Sequence, residues 1–495
     1  MNKTVKMLAF DFGASSGRAI LGIYEDGKLT IEEIHRFSND PVEINGSLYW
    51  DVLRLFYEVK QGILKCVQKG HRDISSIGVD TWGVDFGLLD EQGNLLGNPY
   101  HYRDKRTTGM MDKIFEVIPR EELYSKTGLE FMWFNTILQI FSMKYHNSPL
   151  LQQAKSFLLM PDLFNYFLTG VKAAEYSIAS TTQLLDAHAG SWSGDILNKL
   201  GIPGELFADI VKSGTIIGRL TPDISQELGV PQVNVIATAG HDTQAAIASV
   251  PAQEENFVYI SCGTWSLMGV ESDRPVINEK SSALEVTNEG GVGGKITLLK
   301  NIMGLWLVQE CKRQWEKEGD HVSFAELEEL AGRAEAFVSF VDPGHASFIS
   351  PGNMPERIRE YCRKTNQPVP EGKGEIVRCI AQSLAMKYRD TVESLEELLG
   401  KPLSVIHMVG GGIKDRMLCQ FTANATGRNV IAGPVEATSI GNLMVQALAL
   451  GEVKDLQEIR RVVKASFPTA DYVPQNVDAW DSVYLRFKEI IKMGL

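Results

Sequence analysis

The stretch "MLAFDFGASSGRAILGIYEDGKLTIEEIHRF" constrains the fold more than any other part of the chain. A short apolar run from Met7 ends at Asp11, and a turn of small residues, Gly13 to Gly17, follows. After Arg18 come β-branched and aromatic residues with Asp26-Gly27, a hairpin-turn former, in their midst. The expected order is strand, tight turn, strand, hairpin turn, strand. A P-loop needs Lys and then Ser or Thr after its second glycine, whereas Arg18 and Ala19 stand here. A dinucleotide fingerprint needs three glycines at the mouth of a helix, and only Gly13 and Gly17 are present. A hairpin turn can still present successive backbone N–H groups as an anion nest. Asp11, at the strand end, would face that nest, where a carboxylate can hold magnesium through water. A plain turn with a polar cap accounts for the same residues, so this segment leaves both readings open.

The elements that follow extend the pattern. Val52, Phe56, Val59, Ile63 and Val67 recur at helical spacing behind Asp51, an N-cap residue type. "ISSIGVDTWGVDFGLL" then reads as strand, turn and strand. Three strands, a helix and a strand open the ribonuclease-H-like α/β unit of actin-like ATPases, as a fold-level analogy. "SFLLMPDLFNYFLTG" reads as a helix closed by Gly170, and "VNVIATAGHDTQAAIASV" as a strand, a sharp corner and a helix. The polar "PAQEEN" then marks a domain boundary at about 245–256, giving an N-terminal domain 1–245 and a C-terminal domain 256–495. Beyond it "NFVYISCGTWSLMGVES" repeats the opening strand, small-residue turn and strand. "KITLLKNIMGLWLVQECKRQWEK" and "IVRCIAQSLAMKYRDTVESLEELLG" read as long amphipathic helices, and "SVIHMVGGGIKDRMLCQFTANATG" as strand, glycine turn and helix. The expected architecture is α/β, with two ribonuclease-H-like domains and a cleft between them.

Composition narrows the function. A chain of 495 residues is long enough for two or three domains. Its net charge of −13 argues against coating nucleic acid or an anionic membrane, and no apolar run approaches the ~18 residues of a membrane span. The first apolar run ends at Asp11, too soon for a secretory signal. The six cysteines lack Cys-x-x-Cys spacing, which excludes a zinc ribbon and fits a reducing, cytoplasmic setting. Cys362 and Cys379 flank one loop and are expected to be free thiols. Oligomeric state leaves no signal.

Four motifs can carry chemistry. In "GHDT", Asp242 sits at a strand-to-helix corner, where it can orient and deprotonate an attacking hydroxyl; an Asp or Thr there also serves as an N-cap. "VGGG", Gly410 to Gly412, lets a flat ring approach the backbone, or is an ordinary strand–helix turn. "DTWGVDF" offers Asp80, Trp82, Gly83 and Asp85 to a sugar, or buries a tryptophan in a core. "YRDKRT" concentrates Arg103, Asp104 and Arg106 and reads as a surface ion-pair cluster.

"DFGASSGR", "DTWGVDF", "YRDKRT", "MPDLFNYFLTG", "GHDT", "SCGTWSLMG", "TNEGG" and "LKNIMGLWL" occur in this order across nearly the whole chain. The ordered set resembles the FGGY family of carbohydrate kinases. The resemblance implies transfer of the ATP γ-phosphoryl group to the 1-hydroxyl of L-rhamnulose, with magnesium as cofactor, and closure of the two domains around sugar and ATP. By motif matching, Ala14, Ser15, Ser16, Gly17 and Arg18 would form the first phosphate hairpin, and Thr264, Gln309 and Gly411 would also contact ATP. Gly83, His241, Asp242, Thr243 and Asn301 would line the sugar, with Asp242 as proton acceptor. Asp11 resembles the carboxylate that organises magnesium. Cys262 stands where relatives often carry serine. Alternatives are a kinase for another ketose such as L-fuculose, or a non-catalytic ATPase or sugar sensor on the same fold. A valine at Gly17 is expected to crowd the phosphate nest.

Overall fold

The structure, a computed structural model, describes residues 4–493. The chain divides into two compact units that are not consecutive blocks of sequence. Residues 4–249, 271–298 and 437–466 form the first, and 250–270, 299–436 and 467–493 the second. The segments 271–298 and 437–466 therefore pack with the N-terminal part of the chain.

In the first unit the opening segment forms strands Val5–Phe12, Ser16–Glu25 and Lys28–Ser38. The first two pair antiparallel, Val5 opposite Tyr24 and Phe12 opposite Gly17. Strand Val5–Phe12 pairs on its other side, in parallel, with Ile74–Thr81, which places Asp11 beside Asp80. Asn234–Ala237 and Thr215–Arg219 complete a six-stranded sheet. Strand Val5–Phe12 is buried at nearly every position, as a strand covered on both faces must be. One cover is helix Val52–Gln68, capped by the Asp51 side chain, whose Gly62 lets the helix lie on Phe10 and Ala19. The other is helix Ala437–Ala449, whose Leu443 fills the space above Gly22.

Two apolar stretches differ from their sequence reading. Ser156–Leu159 is a strand paired with Phe86–Leu89, and the helix begins only at Met160, where Pro161 fits the first turn. Ile296–Met303 is likewise a buried strand, with helix Trp306–Lys317 starting beyond Gly304. In both, a short, mostly apolar run adjoins an amphipathic one, and periodicity cannot tell a buried strand from a buried helix turn.

The second unit repeats the opening theme. Phe257–Cys262 and Trp265–Ser272 pair antiparallel through the Gly263-Thr264 turn. Val405–Val409 lies parallel to the first of these, followed by Asn429–Ala432 and Ala470–Tyr472. Helix Lys373–Leu399 buries Ile380, Leu384 and Tyr388 along one side. This recurrence of hairpin and parallel neighbour is the ribonuclease-H-like unit. Among the described residues all six cysteines are free, and no helix is long and apolar enough to cross a membrane.

Candidate active site

A strand end, a buried carboxylate and a hydroxyl hold the corner before Asp242. Thr81 N–H donates to the Gly240 carbonyl at 2.9 Å, and Gly240 N–H donates to Glu175 Oε2 at 2.9 Å. Ser177 Oγ accepts from the His241 N–H at 3.2 Å. His241 occupies the N-cap position of helix Asp242–Ala248, and its own side chain makes no cap hydrogen bond. Asp242 is thus the first residue of the helix, and neither it nor Thr243 stands at the N-cap position. The Asp242 Oδ1 accepts from Thr243 N–H at 2.6 Å and from Thr243 Oγ1 at 3.2 Å. The Asp242 side chain keeps 30% of its surface exposed, against 9% for His241. That leaves one carboxylate face available to a ligand.

Three carboxylates share this part of the first unit. Burial raises the Asp242 pKa, the neighbouring His241 pulls it down, and Asp11 pushes it up again. Asp80 is raised well above the carboxylate range, chiefly by burial and then by Asp11. Asp11 itself accepts from Ser439 Oγ at 3.0 Å and lies 3.4 Å from Arg18 Nε. Crowding of buried carboxylates is a state that a cation or a donor-rich ligand relieves.

The "DTWGVDF" residues divide between ligand space and scaffold. A Cβ on Gly83 would lie 3.5 Å from both His241 Nε2 and Thr181 Oγ1, so Gly83 leaves open the space beside His241. Val84 adopts φ +70°, a strained conformation for a β-branched residue. Donation from Val84 N–H to Thr181 Oγ1 at 3.3 Å and from Thr136 Oγ1 to the Val84 carbonyl at 2.7 Å holds it there. Asp85 accepts from Trp50 Nε1 at 2.6 Å, Trp82 Nε1 at 3.0 Å and Gln139 Nε2 at 2.9 Å. Burial raises its pKa to about 6, against those bonds. Trp82 packs on Trp50 with ring centroids 4.0 Å apart. Asp85 and Trp82 therefore hold the loop rather than a sugar. Nor is "YRDKRT" a surface ion-pair cluster: Asp104 is buried and accepts from Leu48 N–H, and Arg106 lies 4.0 Å above the Tyr100 ring and donates to Gln139.

The first small-residue turn exposes Ala14 and Ser15, and it is closed by Gly13 N–H donating to the Ser16 carbonyl at 3.0 Å. Gly17 points elsewhere. A Cβ there would overlap the Phe37 ring, so the valine expected to crowd the phosphate nest would instead collide with the core. In the second unit the matching turn closes with Gly263 N–H donating to the Trp265 carbonyl at 2.9 Å. Thr264 Oγ1 donates to Gln309 Oε1 at 3.1 Å, joining two of the residues expected to contact ATP. Gly410 and Gly412 pack on Cys262, whose carbonyl would be 3.0 Å and 2.8 Å from Cβ atoms at those positions. Gly411, between them, is exposed with nothing near its side-chain position. Asn301 also lies in the second unit, whereas Gly83, His241, Asp242 and Thr243 lie in the first.

These features can be set against known proteins. Residues 6–248 match the model of the FGGY carbohydrate kinase N-terminal domain, and 258–450 match that of the C-terminal domain. The chain belongs to the FGGY family of carbohydrate kinases. It is 46% identical to a rhamnulokinase of Bacteroides thetaiotaomicron over 98% of this chain and 99% of the relative. A rhamnulokinase of Bacillus subtilis is 38% identical over 95% and 96%. The fold matches a gluconate kinase of Lactobacillus acidophilus with a TM-score of 0.82 at 17% identity, covering 99% of this chain and 98% of that one. Plasmodium falciparum glycerol kinase with ADP gives 0.79 at 14% identity, over 99% and 98%.

Several residues that shape this FGGY kinase's site escaped the sequence reading. Glu289, of the "TNEGG" segment, lies 3.0 Å from His241 Nδ1. Glu175 anchors the corner before Asp242. Helix Ala437–Ala449 contributes Ser439 to Asp11, and its Asn442 donates to Asp80 at 2.6 Å. No spacing in the sequence ties position 439 to position 11. The only signal was the run of small and amide residues in "ATSIGNLMVQ", unusual for a helix that merely covers a sheet.

Proposed function

We propose that this kinase transfers the γ-phosphoryl group of ATP to the 1-hydroxyl of L-rhamnulose, giving L-rhamnulose 1-phosphate and ADP. The observation that carries the reading is Asp242: a half-buried carboxylate with one open face, fixed at a strand-to-helix corner beside Gly83 and His241. Phosphoryl transfer asks little covalent chemistry of a protein; it needs positioned phosphates and a group to orient and deprotonate the acceptor hydroxyl. Asp242 takes that proton. Gly83, His241, Thr243 and Asn301 contact the sugar. The identity of nearly half the aligned residues with a rhamnulokinase, end to end, favours L-rhamnulose over other ketoses.

The Ala14–Arg18 segment contributes the backbone N–H groups of the exposed Ala14 and Ser15 and the Arg18 charge toward the ATP phosphates, and Thr264, Gln309 and Gly411 contact the nucleotide in the second unit. Magnesium fits this donor chemistry. Carboxylate oxygens are hard ligands, and magnesium keeps several of its waters. Asp11 would hold it through water, and bound magnesium would offset phosphate charge. Cytoplasmic residence suits the substrates, ATP and a free sugar.

ADP release measured over a panel of ketoses tests the assignment. L-rhamnulose is expected to give the highest kcat/KM; faster turnover of L-fuculose or another ketose would reassign the substrate and leave the kinase class intact. A second measurement tests the nucleotide side. Gly411 has an empty surround and no left-handed backbone, so Gly411→Val is expected to leave Tm within about 2 °C while raising the ATP KM about tenfold. An unchanged ATP KM would remove Gly411 from the nucleotide site.

A further inference from the structure

We propose that Glu289 is a positioning residue for phosphoryl transfer, holding the His241 ring so that its Nε2 faces the Asp242 carboxylate; this rests on the reading of Asp242 as the base. Glu289 lies on strand Thr287–Gly290, every residue of which is buried. Its Oε2 is 3.0 Å from His241 Nδ1, and His241 Nε2, across the ring, is 3.5 Å from Asp242 Oδ1. The carboxylate is itself held. Gln244 Nε2 donates to Glu289 Oε2 at 2.9 Å and to Thr297 Oγ1 at 2.8 Å. Gln244 stands two residues after Asp242 on the same short helix, so the helix that presents the base also anchors the group that orients its neighbour.

A carboxylate 3.0 Å from Nδ1 favours a proton on that nitrogen, which sets what Nε2 offers to Asp242. The charged groups acting on the imidazole are Glu289, Asp242 and Glu175. Burial alone lowers the His241 pKa, but these three carboxylates outweigh it and the net direction is upward. An imidazole so charged draws the Asp242 carboxylate toward its ionised form, against burial and Asp11, which push the other way. Without Glu289 the ring loses the carboxylate beside Nδ1 and the charge that pushes its pKa up, and Asp242 loses the charged neighbour that keeps it a competent acceptor. Glu289 itself needs no contact with the sugar for this. Its effect falls on kcat rather than KM.

The experiment compares Glu289→Ala and Glu289→Gln in steady-state kinetics and in ¹⁵N spectra of histidine-labelled enzyme, with the His241 signals assigned from a His241→Asn variant. Glu289→Ala is expected to lower kcat about tenfold or more with sugar and ATP KM within about twofold, and to shift the His241 ring signals. Glu289→Gln, which keeps an acceptor for Nδ1–H, is expected to recover part of kcat. An unchanged kcat, a loss appearing wholly in the sugar KM, or unmoved ring signals would overturn the proposal. If the alanine variant does not fold, Gln244→Met removes the donor that holds Glu289 and is expected to give the same kcat-only loss. Asp242→Asn in the same series separates the two readings. Retained turnover there defeats Asp242 as base, whereas a collapse there beside an unaffected Glu289→Ala defeats only the positioning role.

Discussion

Asp242→Asn is expected to lower kcat by about 10²-fold or more while sugar and ATP KM change by less than about threefold. General-base catalysis by a positioned side chain contributes ~10²–10⁴ in rate, and an amide cannot take the proton. The substitution is nearly isosteric. The asparagine Oδ1 can still accept from Thr243 N–H, the bond that holds the side chain at the helix start. Electrostatics makes this test cleaner than most. Asp242 is one of three mutually repelling carboxylates with Asp11 and Asp80, and burial raises the pKa of both Asp242 and Asp80. Neutralising one should leave Tm unchanged or raise it, although the loss of the His241 contact acts in the other direction. A kcat loss with an intact Tm would locate the defect in chemistry; near-normal turnover would remove Asp242 from the mechanism. Isothermal calorimetry with ATP and sugar, alongside kinetics, gives both readouts.

What the sequence disclosed and what it hid follow from the range of the interactions involved. The hairpin at Gly13–Gly17, its repeat at Gly263-Thr264 and the helix behind Asp51 depend on neighbours in the chain: turn formers, β-branched runs and a capping side chain. They were legible for that reason. The "GHDT" corner was legible as strand and helix, but the helix-capping reading failed on one residue of phase, because His241 and not Asp242 takes the cap position. Runs such as "SFLL" and "ITLL" were misread as helix, since a fully buried strand has no polar face to betray its period. Contacts between distant segments left almost no trace. Glu289 beside His241, Ser439 on Asp11 and Glu175 on Gly240 join positions dozens to hundreds of residues apart. Gly17 shows the same limit in reverse: its place in a phosphate-type motif was evident, while its true constraint, the Phe37 ring, required the third strand in register.

Gly441→Ala should be the most damaging of the small substitutions. Gly441 lies within helix Ala437–Ala449, where alanine would ordinarily stabilise by ~1 kcal/mol through its helix propensity. Here a Cβ would overlap the Ala245 carbonyl oxygen of helix Asp242–Ala248. That obstacle is backbone, so no rotamer change relieves it, and the two helices must move apart. Overpacking of this kind costs ~1–3 kcal/mol or more, which outweighs the propensity gain. A fall in Tm of about 5 °C or more is expected. The loss should reach catalysis as well, because both partners carry the site. One helix begins with Asp242, and the other supplies Ser439 to Asp11 and Asn442 to Asp80. Gly332→Ala is the control, since it lies in a helix with nothing within 4 Å of its side-chain position and should raise Tm slightly or leave it alone. Equal Tm values for the two variants would mean that the helices do not meet backbone to backbone, and the expected loss of catalysis would lose its structural basis.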